Sequence, residues 1–149
     1  MEPQHLRLCS NGQDFGFSTG FGYQSKTNDY KVVKLWGTPV VAKVYTLSSD
    51  SWRKVEISLR SKVVASDIEP SPSPLLFSGA LHWFAYHSEG EREFLDPKMI
   101  LSFDVDNEKF GEMAIPDGDA VGLFVFKGNL AVFSCGYPEN NDGLHRIRP

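Results

Sequence analysis

The chain has 149 residues, of which 41% are hydrophobic and 13% aromatic, eleven of them phenylalanine. That is the size of one domain, with enough apolar side chains to build a core, and its richness in Phe disfavours a disordered chain or a long helical bundle. A net charge of −4, a pI near 5.5 and scattered lysines and arginines exclude an ordinary nucleic-acid surface.

No apolar run reaches the length of a signal peptide or a membrane span. Cys9 and Cys135 lie far apart and read as reduced thiols of an intracellular protein rather than as a long-range disulfide. The expected setting is the cytoplasm, the nucleus or both, away from membranes.

In chain order, residues 1–14 show no periodicity and are expected to be a loosely ordered N-terminal segment. Phe15, Phe17, Phe21 and Tyr23 then follow at even spacing with glycines between them. Even spacing sets the rings on one side of a strand, and the glycines opposite leave room for a neighbouring sheet. The polar run Q-S-K-T-N-D (24–29) is a turn, Y-K-V-V-K-L-W (30–36) a strand, and G-T-P (37–39) a break. Val40 to Leu47 and Trp52 to Ile57 form a hairpin around Ser48-Ser49-Asp50-Ser51.

The long connection 58–74 ends in E-P-S-P-S-P, which cannot sit inside a sheet because proline has no N–H to donate. Leu75 to Phe77 and A-L-H-W-F-A-Y (80–86) are the next strands, followed by the charged segment 87–97. Met99 to Val105 and Phe110 to Ile115 form a second hairpin; Val121 to Phe126 and Asn129 to Cys135 form a third. From Gly136 to Pro149 the pattern fails, and an irregular tail is expected.

Two internal matches organise these strands. Laid over each other without a gap, Tyr45 falls on Phe103, Leu47 on Val105, Trp52 on Phe110, Val55 on Met113 and Ile57 on Ile115. F-S-G-A-L-H-W-F (77–84) likewise matches F-K-G-N-L-A-V-F (126–133). Repeats of roughly 40–50 residues made only of strands are the period of propeller blades. The expected architecture is all-β: a partial kelch-like β-propeller of about two and a half four-stranded blades, with a compact β-sandwich as the alternative. Blades run from about Phe17 to Ile57 and from about Leu75 to Ile115, and the third stops after two strands. With fewer blades than closure needs, the terminal blades would expose apolar faces.

Candidate chemistry is sparse. His82 alternates with apolar neighbours and reads as a core histidine fixed by a backbone carbonyl; His5, His87 and His145 have no Cys or His at zinc-ligand spacing. There is no G-x-S-x-G turn, and Asp104 and Asp106 read as turn formers rather than a catalytic pair. The glycine-rich F-G-F-S-T-G-F-G lacks the Lys-Ser/Thr of a phosphate loop. Trp52 and Phe110 are expected to pack between blades. No catalytic, cofactor or metal residue is expected, and the chain is read as no enzyme.

Binding is expected at the loops joining second to third strands, which are 36–40 and 87–97. The candidate partner-binding residues are Trp36, His87, Glu89, Glu91, Arg92, Glu93 and Phe94. The second loop combines charge for steering with an aromatic anchor.

Four stretches, F-G-Y-Q-S-K-T-N-D-Y-K-V-V (21–33), V-Y-T-L-S-S-D-S-W-R-K-V (44–55), S-G-A-L-H-W-F-A (78–85) and I-L-S-F-D-V-D-N-E-K-F-G-E-M-A-I-P (100–116), resemble the F-box-associated domain of plant F-box proteins. The resemblance covers about residues 15–135 and implies a kelch-like propeller that captures a target protein. In that family an F-box preceding the domain hands the target, through a Skp1-type adaptor, to a cullin-based (SCF-type) ubiquitin ligase. The residues before Phe15 are too few for an F-box, so adaptor binding is expected only of a longer protein that carries one. The alternatives are a propeller with a sugar, small-molecule or enzymatic site, and a truncated, non-functional fragment.

Overall fold

The computed structural model describes residues 18–37, 40–59, 74–85, 99–115, 119–135 and 143–146. Among them are eleven β-strands and no helix. The first sheet is an antiparallel meander of β1 (Ser18–Gln24), β2 (Asp29–Trp36), β3 (Val41–Thr46) and β4 (Ser51–Val55), paired in chain order. The middle sheet repeats it with β5 (Leu75–Phe77), β6 (Ala80–Ala85), β7 (Met99–Asp104) and β8 (Lys109–Ala114). The third contains β9 (Asp119–Phe126), β10 (Asn129–Cys135) and β11 (Gly143–Arg146), with β10 in the centre.

The aligned hairpins are equivalent in space. Tyr45 pairs with Trp52 across β3 and β4, and Phe103 with Phe110 across β7 and β8. Their rings sit 5.4 and 4.8 Å apart, both tilted. Both four-residue turns end on a left-handed residue, Asp50 (φ 48°) and Glu108 (φ 56°), and the turn between β1 and β2 does so at Asn28 (φ 51°). The two-residue turns Ser78-Gly79 and Lys127-Gly128 take positive φ at both positions, which matches the right-handed twist of the flanking strands.

The C-terminal expectation needs correction. β11 lies in the stretch read as coil, and Ala131 through Ser134 of β10 pair with Arg146 through Gly143. A four-residue strand is too short to show a period, and its place is set by the open edge of β10.

Val33, Leu35, Ala42 and Val44 of the first sheet pack on Leu81, Trp83, Ala85, Met99, Leu101, Phe103 and Val105 of the middle one. The glycines of β1 allow this approach. A Cβ on Gly22 would lie 2.6 Å from Val105 Cγ2, and one on Gly20 2.8 Å from Pro74 Cγ and 3.0 Å from Leu81 Cδ1. The opposite face of the middle sheet meets the third through Phe84, Ile100, Leu130 and Val132, with Leu75, Phe77, Met113 and Leu123 at the border. Burial on both faces explains why β6 reads as an almost unbroken apolar run. Three stacked sheets with two cores replace the single core of a two-sheet sandwich. The outward faces are exposed only in part: Phe21 is 59% and Tyr30 54% exposed on the first sheet and Phe133 39% on the third, while Val32, Lys34 and Tyr45 on the first sheet's outward face are buried.

Candidate protein-interaction surface

Trp36 closes β2, where it pairs with Val41. The half-buried indole collects two cations, with Lys34 Nζ 5.9 Å and Lys43 Nζ 5.3 Å from the ring centroid. The other expected partner-binding residues, His87, Glu89, Glu91, Arg92, Glu93 and Phe94, lie outside the described residues. Their anchor points are described. Ala85 ends β6 and pairs with Met99 at the start of β7, as Trp36 pairs with Val41. The two connections therefore leave equivalent ends of neighbouring sheets.

At the opposite end, a polar clamp ties the first two sheets together. Lys31, only 3% exposed, donates to the Val105 carbonyl at 2.8 Å and lies 2.7 Å from Glu108 Oε1. The Arg53 guanidinium grips the same carboxylate through both of its terminal nitrogens. Around them, Gln24 Nε2 donates to the Asp106 carbonyl at 3.4 Å, Ser25 Oγ to Asp106 Oδ2 at 3.3 Å, and Lys26 Nζ to Asn107 Oδ1 at 3.3 Å. Burial pushes the Lys31 ammonium below its ordinary 10.5 and Arg53 adds to the push, while Asp106, Asp29 and Asp104 pull the other way. This clamp was missed in the sequence. Its one signal is the alternation of β2, which places Lys31 on the same face as Val33 and Leu35, where a lone charge is not tolerated.

The turns carry their own carboxylates. Asp29 accepts hydrogen bonds from the Ser48 hydroxyl and from the Tyr30 and Ser48 amides. The Ser48 hydroxyl bond holds its carboxyl below the usual 3.8, against the opposing pull of burial. Asp104 Oδ1 accepts from the backbone N–H of Asp106 and Asn107 at 3.0 and 2.9 Å. Burial raises its pKa, but these bonds and the Asn107 side chain outweigh it and the carboxyl stays below 3.8. Asp104 is therefore the turn former read from the sequence. Phe110 borders the core between the first two sheets, whereas Trp52 rests on Tyr45 of its own sheet, which corrects its expected position between blades.

His82 Nδ1 donates to the Leu75 carbonyl at 3.1 Å, and the ring lies 6.4 Å from that of Phe77. Burial lowers its pKa below 6.5, partly offset by backbone hydrogen bonding at Leu75 and Ala80, so it is a neutral core residue. Among the described residues no cluster of three or more His, Cys, Asp or Glu is arranged to hold a metal ion.

Residues 5–134 match the family model described as the F-box associated beta propeller domain. The chain is also 32% identical over 101 residues to an F-box/kelch-repeat protein of Arabidopsis thaliana. That alignment covers 65% of this chain and 25% of the relative, so the chain corresponds to about a quarter of that protein's length.

Proposed function

The chain belongs to the F-box associated beta propeller domain family, and from that premise we propose that it is a non-enzymatic protein-binding module of the kind that selects substrates for an SCF-type ubiquitin ligase. The family match over residues 5–134 carries this reading. Similarity to an F-box/kelch-repeat protein supports the ligase setting. A Skp1-type adaptor joins through an F-box in a longer protein and the target through this domain, in the cytoplasm or nucleus. Trp36 and the segment 87–97 remain the proposed contact end.

The test is affinity capture with the tagged full chain from plant cells, alongside a circular dichroism check that it is folded. A reproducible target that binds directly after purification is expected. A folded chain that retains no target, or one that turns over a sugar or ester with saturation, overturns the reading.

A further inference from the structure

We propose that His82 is a pH-sensitive latch: when its imidazole takes up a second proton, the third sheet and β5 loosen from the middle sheet while the first two sheets stay joined.

The two joints of the stack are unequal. Val33, Leu35, Leu81, Trp83, Leu101 and Phe103 lie among the buried side chains between the first and middle sheets, and the clamp of Lys31, Glu108 and Arg53 ties the same joint. Between the middle and third sheets the buried cluster is Phe84, Ile100, Leu130 and Val132, with Leu75 and Phe77 half-buried at its border. The smaller apolar cluster makes the second joint the one that opens first.

His82 sits on the face of the middle sheet that meets this second joint. Strand alternation sets it on the same side as Phe84, and it pairs with Leu75 on β5 and Ser102 on β7. The residue is 6% exposed, donates from Nδ1 to the Leu75 carbonyl and lies beside the Phe77 ring. A second proton adds a charge and an Nε2–H, and both need water or an acceptor. Leu75 and Phe77 of β5, Ile100 of β7, and Gly111 and Met113 of β8 share that face and carry no charge; Ser102 is a neutral hydroxyl. The charged residues of the face are Asp104 and Lys109, opposite each other in the ladder, and the Asp104 carboxylate is held by the amides of Asp106 and Asn107. From the third sheet, Leu123, Leu130 and Val132 bring no charge, and His145 stands opposite Val132 in register. The imidazolium is therefore accommodated only where the cover of Phe77 and the third sheet lifts and water enters.

The experiment is hydrogen–deuterium exchange of the full chain at about pH 7.5 and about pH 5.5, on either side of the ordinary imidazole value, with rates corrected for the intrinsic effect of pH. The open form binds the proton below 6.5 and the closed form resists it, so opening grows by up to about tenfold per pH unit. Amides of β9 and β10 are expected to exchange about threefold to tenfold faster at the lower pH. At that pH the amides of β2 and β3 stay protected about tenfold or more above them. His82→Leu removes the acceleration, and His145→Leu leaves it in place. His82→Gln, also uncharged at both pH values, serves instead if thermal unfolding shows that His82→Leu does not fold. Equal protection of the two sets of strands means that the chain opens as one unit, and it overturns the proposal. So does an unchanged rate in β9 and β10, an acceleration that survives in the His82 variants, or its loss in His145→Leu. Target capture at neutral pH does not depend on this latch, and its failure bears on the proposed function alone.

Discussion

Lys31 Nζ reaches across from the first sheet to Glu108 Oε1 of the middle sheet at 2.7 Å, in a position where the lysine is nearly sealed from water. Glu108 occupies a left-handed turn position (φ 56°), which costs a side-chain-bearing residue energy. An Asn would suit that turn better. Glutamate there places one carboxylate between Lys31 and Arg53, so the turn geometry serves the joint between the sheets.

Glu108→Gln is expected to destabilise the fold by about 2–3 kcal/mol, because it leaves a buried ammonium without its counter-ion. Lys31→Met removes the charge together with the need for a partner and is expected to cost less. Urea unfolding of the two variants measures the difference, and a larger loss for Lys31→Met would show that the lysine stem, rather than the pairing, matters.

Gly22→Ala drives a methyl to 2.6 Å from Val105 Cγ2, across the contact between the first sheet and the middle one. The expected cost is about 1–3 kcal/mol by overpacking. Gly22→Ala combined with Val105→Ala should cost less than the sum of the two, since each relieves the other. Simple additivity in a double-mutant cycle would place the strain elsewhere.

Tyr45 and Phe103 are repeat equivalents with opposite needs. The Tyr45 hydroxyl donates to Asp50 Oδ1, so Tyr45→Phe should cost about 1 kcal/mol. Phe103 is fully buried in the core between the sheets, and Phe103→Tyr, which buries a hydroxyl there, should cost about 1–3 kcal/mol. Thermal denaturation ranks the pair, and the reverse order would contradict the burial of Phe103.

Stability should fall in two steps as pH is lowered. His82 titrates below 6.5 in the folded state, so just below 6.5 the unfolded chain binds the proton first and stability declines until the folded pKa is passed. Asp29 and Asp104 titrate below 3.8 when folded, so their contribution is complete above 3.8 and is lost as pH falls through their folded values. Thermal midpoints across pH should show both steps, with His82→Leu removing the first alone. Persistence of that step in the variant would assign it to another group.

Much of this protein was legible in the residues themselves. The overlay of Tyr45 on Phe103 and Trp52 on Phe110 reported equivalent hairpins, because strand alternation and turn chemistry are local properties. The even spacing of Gly20 and Gly22 announced the close approach of a second sheet. Resemblance in four motifs pointed to the family that the comparison then matched. What lay beyond the sequence was long-range. β11 is strand because β10 offers it an edge, and Trp52 lies on its own sheet because of where that sheet's outward face points. The joining of Lys31, Arg53 and Glu108 depends on register across two sheets, and no local pattern encodes which distant charge a buried lysine will meet. The row of Lys34, Lys43 and Lys54 across β2, β3 and β4 is likewise invisible along the chain, and only sheet pairing brings the three side by side. Local periodicity settles what each segment becomes, and tertiary pairing settles which charges and rings share a surface.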